Sequence, residues 1–485
     1  MDAELVCDSP PGNLSGEFRD RVVCVAGLGV SGPPVARALS GMGAHVVVVD
    51  GRTDQTARER AAELRTEGVE VALGGEELPP GSELVVTSPG WRPDSPLLVA
   101  AARSGIEVIC DVELAWRLRP ANQTWLAVTG TNGKTTTVRM LEEILRADGR
   151  AAAAVGNVGT PIIDAVLPGT DGRAPADILA VELSSFQLHW SATLRPYAAT
   201  VLNVAADHLD WHGGMEPYAR AKGQVYAPGT VRVTNQDDPW SRHLATTRGD
   251  SGAPLAGFST NRPEPGELGL DAGRLVDRSF VSEPRTEAVE LARVSEMAAA
   301  DPHNVANALA AATLARSVGV SPEAVRTGLA RFAPEPHRIS RVATVETVDY
   351  VDDSKATNPH AAAASVASFG SVVWLAGGLL KGADVEELVR AAAPRLRGAV
   401  LFGQDRARLR SALAEHVPDA PVVDIPDTGP EAMGKVVSAA AELARSGDTV
   451  LLAPAAASMD MFTDYNERGE AFVAAVGGLA PSPPE

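Results

Sequence analysis

The segment Val128 to Thr137, VTGTNGKTTT, constrains the fold of this chain more than any other. An apolar run, Trp125-Leu126-Ala127-Val128, leads into it and reads as a buried strand. Val138-Arg139-Met140-Leu141-Glu142-Glu143-Ile144-Leu145 follows, with apolar residues at helical spacing. Strand, glycine-rich loop with a lysine, then helix is the layout of a phosphate-binding loop in an α/β protein. The glycines let backbone N–H groups approach phosphate oxygens, and the helix N-terminus adds the positive end of its dipole. In that reading Lys134 reaches the terminal phosphates, and Thr135 or Thr136 holds Mg²⁺. The loop is shorter than the strict pattern, since Val128 rather than glycine stands five positions before Gly133. The bland alternative is a glycine-rich turn that opens a helix.

A second turn lies upstream. Arg21-Val22-Val23-Cys24-Val25-Ala26 is a strand that runs into Gly27-Leu28-Gly29-Val30-Ser31-Gly32, a G-x-G-x-x-G turn. Pro33 to Met42 can be a helix, and Ala44-His45-Val46-Val47-Val48-Val49-Asp50 is a second strand ending in a carboxylate. The strand-helix-strand frame with its terminal acid is the Rossmann nucleotide-binding fingerprint in context. Strands are also expected at Leu84-Val85-Val86-Thr87, before Ser88-Pro89-Gly90, and at Ile106-Glu107-Val108-Ile109. This α/β unit is taken to end at residue 115.

A central segment, 116–334, holds the phosphate loop and strands Ile178 to Leu183 and Ala199 to Val204. Residues 245–300, rich in Gly, Pro and mixed charge, read as short antiparallel strands and loops, and Asp301 to Arg316 reads as an Ala-rich helix. From Pro334-Glu335-Pro336 onward (335–485) strands and helices alternate again, with strands at Val348 to Val351, Val372 to Ala376, Gly398 to Phe402, Pro421 to Asp424 and Thr449 to Ala453. The expected architecture is three α/β domains: a Rossmann-like unit, a central phosphate-loop unit, and a C-terminal doubly wound unit.

With 485 residues, 45% hydrophobic and 22% charged, the chain has the composition of a soluble globular protein. No window approaches the ~20 apolar residues of a membrane span. Met1-Asp2-Ala3-Glu4-Leu5 lacks the basic start of a secretory signal. Three cysteines, Cys7, Cys24 and Cys110, make a disulfide framework improbable and fit a reducing cytoplasm, with Cys24 expected as a buried thiol in its strand. A net charge of −19 argues against non-specific binding to nucleic acid or anionic membrane. Local Lys, Arg and helix termini must then meet any anionic ligand. The Pro-rich tail, Pro481 to Pro484, is expected to lack structure.

Other polar clusters follow strands. Glu182, before Leu183-Ser184-Ser185-Phe186-Gln187, either completes a Mg²⁺ shell or caps a helix. Asp207-His208-Leu209-Asp210-Trp211-His212 suggests metal ligation or substrate contact, with His212 the more structural of the two histidines. Lys222 falls on an expected helix, and composition alone makes it a solvated lysine. Asp352-Asp353-Ser354-Lys355-Ala356-Thr357-Asn358 marks either a ligand crevice at a strand end or a polar turn. His303 or Asn304 opens a helix and is placed to cap it. Two nucleotide-type sites without a basic surface suggest a two-substrate enzyme, one substrate being ATP.

Taken together, these motifs resemble the Mur ligase family of peptidoglycan synthesis. The resemblance is carried, in order, by GLGVSG, GTNGKTT, GNVG (Gly156 to Gly159), ELSSFQL, NVAADHLD, Ala221-Lys222, HNVANALAA, PHRI (Pro336 to Ile339), DDSKATN and PAAASMDMF (Pro454 to Phe462), from about residue 21 to 475. It implies an ATP-dependent carboxylate-amine ligase acting through an acyl phosphate in cytoplasmic cell-wall precursor synthesis, and so in cell division and cell shape. GLGVSG, ELSSFQL, DHLDWHG and DDSKATN point to the member adding D-glutamate to UDP-N-acetylmuramoyl-L-alanine. Asn132 stands where the L-alanine-adding member carries His, and the Asp-Asn-Pro-Arg motif of the diaminopimelate-adding member is absent.

The resemblance also implies site roles. Gly130, Thr131, Asn132, Gly133, Lys134, Thr135, Thr136, Asn304, Asn307, Arg338 and Asp353 bind ATP. Val30, Ser31, Asp50, Arg52, Ser88, Pro89, Gly90, Asn157, Ser184 and Gln187 hold the UDP substrate. Lys355, Thr357, Lys381, Ser458 and Tyr465 surround D-glutamate. Thr135 and Glu182 hold one Mg²⁺; His208 and Lys222, N6-carboxylated in the family, hold a second. Lys134, Glu182, His208, Lys222 and Lys355 form the catalytic set. Tyr465 stands where Phe is expected, and Ala206 where an acidic residue is common. The partners are small molecules, and the chain is expected to be monomeric. Competing readings are a related ligase adding L-glutamate or acting on folates, a nicotinamide-dependent oxidoreductase that leaves Lys134, Glu182 and His208 without work, and a silent binding protein.

Overall fold

The computed structural model describes residues 17–169, 174–248, 252–334 and 336–479. The N-terminal Met1 to Leu5, Cys7, Glu335 and the tail Pro481 to Pro484 lie outside the described residues. The chain divides into two compact units, Met1–Val204 with Ala219–Phe332, and Ala205–Tyr218 with Ala333–Glu485.

The first unit contains two sheets. One holds β1 (Val22–Ala26), β2 (His45–Asp50), β3 (Glu70–Leu73), β4 (Leu84–Thr87) and β5 (Glu107–Cys110), in the order β3-β2-β1-β4-β5. Every pair is parallel, and the connections after β1, β2 and β4 cross through a helix, whereas β3 reaches β4 through a loop. Burial accounts for the near-continuous Val runs of β1, β2 and β4. The strand order reverses at β1, where the glycine turn emerges; ligand crevices in open α/β sheets lie at such a reversal.

The second sheet has nine strands: β6 (Thr124–Thr129), β7 (Ala152–Gly156), β8 (Ile178–Glu182), β9 (Ala198–Val201), β10 (Val231–Asn235), β11 (Leu255–Phe258), β12 (Glu267–Asp271), β13 (Arg274–Asp277) and β14 (Val289–Arg293). Their order is β14-β13-β12-β11-β10-β9-β6-β8-β7. The antiparallel expectation for 245–300 holds only from β12 to β14. In contrast, β11 pairs parallel with both β10 and β12, extending the parallel sheet. The phosphate-loop helix, Lys134–Ala147, packs with Pro302–Ser317 and Pro322–Arg331. Pro302–Ser317 is buried almost all round, and its run of alanines allows the close approach. At Gly328 an added Cβ would stand 2.5 Å from the Ile144 Cα, so that helix crossing requires a residue without a side chain.

The second unit carries β15 (Ser340–Val345), β16 (Val348–Asp352), β17 (Val372–Gly377), β18 (Leu396–Phe402), β19 (Val422–Asp424) and β20 (Thr449–Leu452), ordered β15-β16-β20-β17-β18-β19. Only the hairpin β15–β16 is antiparallel. Cys24 and Cys110 are buried free thiols, and burial pushes both up to about 12. No helix among the described residues is long and apolar enough to cross a membrane.

Candidate active site

The phosphate loop leaves the carboxyl end of β6. Gly130 and Gly133 take φ of 157° and 84°, values that favour glycine. A Cβ at Gly133 would also stand 2.3 Å from Asn307 Oδ1, and one at Gly130 would stand 3.0 Å from Leu202 Cβ. Lys134 folds back over the loop and donates to the carbonyls of Gly130 (3.0 Å) and Thr131 (2.8 Å). Asn203, which motif reasoning gave no role, brackets the loop. Its carbonyl accepts from Thr131 N (2.9 Å), its Oδ1 from Asn132 N (2.9 Å), and its Nδ2 donates to Asn132 O (3.1 Å). Thr135 and Thr136 are buried at the helix start.

The helix Pro302–Ser317 brings Asn304 and Asn307 to the same loop. Its cap is Asp301, which accepts from Asn304 N at 3.1 Å; neither His303 nor Asn304 caps it, contrary to the local sequence reading. His303 Nε2 instead lies 2.9 Å from Asp301 Oδ1. Asn304 Nδ2 donates to Asp301 Oδ2 (2.7 Å), Asn307 Nδ2 to Asn304 Oδ1 (3.3 Å), and Thr137 Oγ1 to Asn307 Oδ1 (3.4 Å). The capping carboxylate thus starts a relay that ends on the phosphate-loop helix.

Glu182 closes β8, which pairs with β6 in the register Val128↔Glu182. It is 2% exposed. Its Oε1 accepts from Asn157 Nδ2 at 3.1 Å, while Oε2 is buried with no hydrogen-bond partner among the described residues. The capping alternative fails here, because Ser184 caps the helix Ser185–His189 in a capping box with Gln187. A buried carboxylate oxygen with nothing to accept costs free energy unless a cation arrives. A carboxylate oxygen is a donor of the kind Mg²⁺ takes, so Glu182 could hold that ion. Lys222 is also 2% exposed, not solvated, and donates from Nζ to Gly130 O at 2.7 Å. Gly156 (φ 100°) lets β7 pass Glu182, since a Cβ there would lie 2.2 Å from the Glu182 carbonyl oxygen.

At the tip of the first sheet lies an open cleft of about 790 Å³. Of the sequence-predicted UDP residues, Val30, Ser31, Asp50, Arg52, Ser88, Pro89, Gly90 and Asn157 line it, and Ser184 and Gln187 do not. Glu76, Trp91, Arg92 and Asp94 also line it, although the stretch after Gly90 has no periodicity to announce them. Asp50 holds the turn itself: Oδ2 accepts from Leu28 N (2.6 Å) and Oδ1 from Arg52 N (2.9 Å), and both oxygens meet the Arg52 guanidinium (3.0 and 2.8 Å). Burial pushes the Asp50 carboxyl up, but the Arg52 contact and these N–H groups more than offset it, leaving it below the usual carboxylate range.

In the second unit, His208 has φ 52° at the start of the short helix Leu209–His212, its Nε2 3.5 Å from Asp207 Oδ2. His212 packs its ring against Trp211 and Tyr218, as a structural histidine does. His337 Nδ1 lies 2.6 Å from Asp352 Oδ2, and Ser365 Oγ donates to Asp353. Lys355 Nζ sits 5.1 Å from the Tyr465 ring centroid, so the tyrosine found in place of phenylalanine keeps its aromatic face toward the lysine. Arg468, fully buried, ties the loops around Ser354 and Ala456 together through Ser354 Oγ (3.0 Å), Ser354 O (2.7 Å) and Ala456 O (3.0 Å). Burial lowers its guanidinium to about 10. Arg338, Thr357, Lys381 and Ser458 also belong to this unit, Ser458 buried and Lys381 at φ 49°.

Three family profiles match the chain: "Mur ligase MurD-like, N-terminal domain" over residues 21–110, "Mur ligase middle domain" over 128–315, and "Mur ligase, glutamate ligase domain" over 337–456. The UDP-N-acetylmuramoylalanine--D-glutamate ligase of Thermobifida fusca is 68% identical over 465 residues, 96% of this chain and 100% of that protein. The enzyme of the same name from Streptomyces coelicolor is 55% identical over 96% of this chain and 100% of its own. Among solved structures, UDP-N-acetylmuramate-alanine ligase of Thermotoga maritima superimposes with a TM-score of 0.57 at 19% identity, covering 95% of this chain and 100% of that one. At that identity the likeness speaks to the fold.

Proposed function

The chain belongs to the Mur ligase family, and from that premise we propose that it joins D-glutamate to UDP-N-acetylmuramoyl-L-alanine at the expense of ATP, in cytoplasmic peptidoglycan precursor synthesis. The observation that carries this reading is the extent of the match to D-glutamate ligases, 68% identity over 96% of the chain, with the phosphate loop, Glu182 and Lys222 assembled as described. The domains are proposed as 1–115, 116–334 and 335–485.

The L-alanyl carboxylate is a poor electrophile, so it must first be activated. A carboxylate oxygen attacks the γ-phosphorus of ATP, the bond to the β,γ-bridging oxygen breaks, and ADP leaves. The D-glutamate amine then attacks the acyl carbon, the tetrahedral intermediate expels phosphate, and the ammonium loses its proton. In this proposal Gly130 to Thr136 cradle the phosphates, and Lys134 exchanges its bonds to the Gly130 and Thr131 carbonyls for the β- and γ-phosphates. Asn304, Asn307, Arg338 and Asp353 contact the rest of the nucleotide. The cleft of the first sheet takes UDP, with Asp50 shaping its turn; Asn157, Ser184 and Gln187 serve the muramoyl-alanine end. Lys355, Thr357, Lys381, Ser458 and Tyr465 hold D-glutamate. Thr135 and Glu182 are proposed to hold one Mg²⁺, and His208 with N6-carboxylated Lys222 a second. Bound there, Mg²⁺ neutralises phosphate charge during transfer. A carbamate on Lys222 keeps one N–H, so its bond to Gly130 O can persist after modification. The protein is proposed to act as a monomer.

Phosphate release measured with UDP-N-acetylmuramoyl-L-alanine, ATP and Mg²⁺ tests the reading, with D-glutamate, L-glutamate or no amino acid as the only variable. Release that needs D-glutamate, with a product one glutamyl residue heavier, is expected; release with L-glutamate alone overturns the specificity. Purging CO₂ should lower turnover and bicarbonate should restore it, whereas indifference to both removes the carbamate.

A further inference from the structure

In the function proposed above, the cleft at the tip of the first sheet takes a diphosphate, yet its lining carries no excess of positive charge. Two cations line it, Arg52 and Arg92, against three carboxylates, Asp50, Glu76 and Asp94. Both guanidinium groups already face acids: Arg52 meets Asp50 at 2.8 and 3.0 Å, and Arg92 Nε lies 3.1 Å from Asp94 Oδ1. The helix after the glycine turn has little to add. Pro33 and Pro34, in the first turn of Gly32–Gly41, carry no N–H, and Val35 N is spent on Ser31 O at 3.3 Å. Within the turn, Gly27 N is spent on Val49 O (2.8 Å) and Leu28 N on Asp50 Oδ2 (2.6 Å). Neutral donors elsewhere in the lining must therefore share the anion. Trp91 is such a donor. Its ring packs against the apolar cluster of the first sheet that includes Cys24, Ala26 and Val85, which holds it in place. Its Nε1 stands beside the first glycine of the turn: a Cβ on Gly27 would lie 3.2 Å from it. That N–H makes no hydrogen bond to any described residue and is not buried, in a side chain that lines the cleft.

We propose that Trp91 is a contact residue for the UDP substrate, its indole N–H donating to an oxygen of the diphosphate beside Gly27. The inference rests on the proposed function of the cleft. An indole N–H donates only, and a hydrogen bond to a charged acceptor is about twice as strong as one between neutral groups. Trp91 therefore separates diphosphate-bearing ligands from the bare nucleoside, rather than one base from another.

Trp91→Phe keeps an aromatic ring against the core and removes the N–H. The Kd for UDP, read by calorimetric titration of the whole chain, is expected to rise about tenfold, and the KM for UDP-N-acetylmuramoyl-L-alanine with it, while the KM values for ATP and D-glutamate stay within about twofold. Uridine lacks the diphosphate and is expected to bind both proteins within about twofold, read by NMR titration in the millimolar range. Equal losses for UDP and uridine assign the effect to the ring rather than to the N–H and overturn the proposal, as does an unchanged Kd for UDP. A wild type that fails to bind UDP removes the reading of the cleft and this proposal with it, whereas UDP binding that Trp91→Phe leaves intact removes only this proposal. The titrations need no turnover, so they remain readable if the amino-acid dependence of the ligase reaction fails. Should Trp91→Phe not fold, the wild type decides. Among the indole N–H signals of its seven tryptophans, one should move downfield with UDP and stay in place with uridine; none doing so overturns the proposal.

Discussion

At the scale of single residues, the glycines that matter are those where a positive φ coincides with a close neighbour. Gly156→Ala would put a methyl 2.2 Å from the Glu182 carbonyl oxygen at φ 100°. It should cost about 3 kcal/mol and remove turnover, because the strand carrying Glu182 must shift. Gly229→Ala has a similar φ of 82° but meets nothing within 4 Å, so it should cost only about 1 kcal/mol; urea denaturation of the pair separates crowding from backbone strain. Asp50 offers a pH signature. Its folded pKa lies below its unfolded value, so its stabilisation is present above about pH 4 and is lost as pH falls through the folded value. The urea midpoint of the wild type should therefore exceed that of Asp50→Asn at pH 7, and the gap should close below about pH 4. Lys222 marks the limit of local reading at this scale. Its type and its helix were legible, but its burial depends on the Gly130 carbonyl 92 residues away in sequence, which no local pattern encodes.

At the scale of elements, the asparagines at the phosphate loop depend on a cap. Asp301→Ala removes the acceptor for Asn304 N and for Asn304 Nδ2, and should cost about 1 kcal/mol. It should also raise the KM for ATP more than that for D-glutamate, since Asn304 in turn steadies Asn307; equal effects on both would show a plain loss of stability. The parallel strands were legible where burial on both faces writes continuous apolar runs, as in Val46 to Val49. Short edge strands were not. β3 has four residues with alternating exposure, and β15 lies at the rim of its sheet, so neither shows an apolar run. The direction of β11 was misjudged for a related reason: glycine and proline signal short strands, but direction is set by what each strand pairs with. The cap was misassigned because His303 and Asn304 carry the motif, whereas Asp301 one turn earlier carries the geometry.

At the scale of the whole molecule, 62 acidic against 43 basic residues give a net charge of −19 and an isoelectric point near 5.0. Solubility should pass through a minimum near pH 5, where self-repulsion vanishes, and recover on either side; turbidity across pH 4 to 8 in buffer of fixed ionic strength would show it. The sequence order of the three sheets was legible because each opens with a strand and a distinctive turn, whereas the nine-strand breadth of the middle one was not, because its far edge is built from weakly patterned residues between 255 and 293. One contact spans much of that middle region: Gly133 lies so close to Asn307 that a side chain at 133 would start 2.3 Å from the carboxamide oxygen. Every change of that glycine adds atoms where none fit, and truncating the asparagine to alanine removes the oxygen through which its helix is tied to Thr137 of the phosphate-loop helix. An inhibitor that drew its grip from this pair would leave the chain little room to acquire resistance by substitution, because the variants that loosen the drug are the ones that deform the loop it copies.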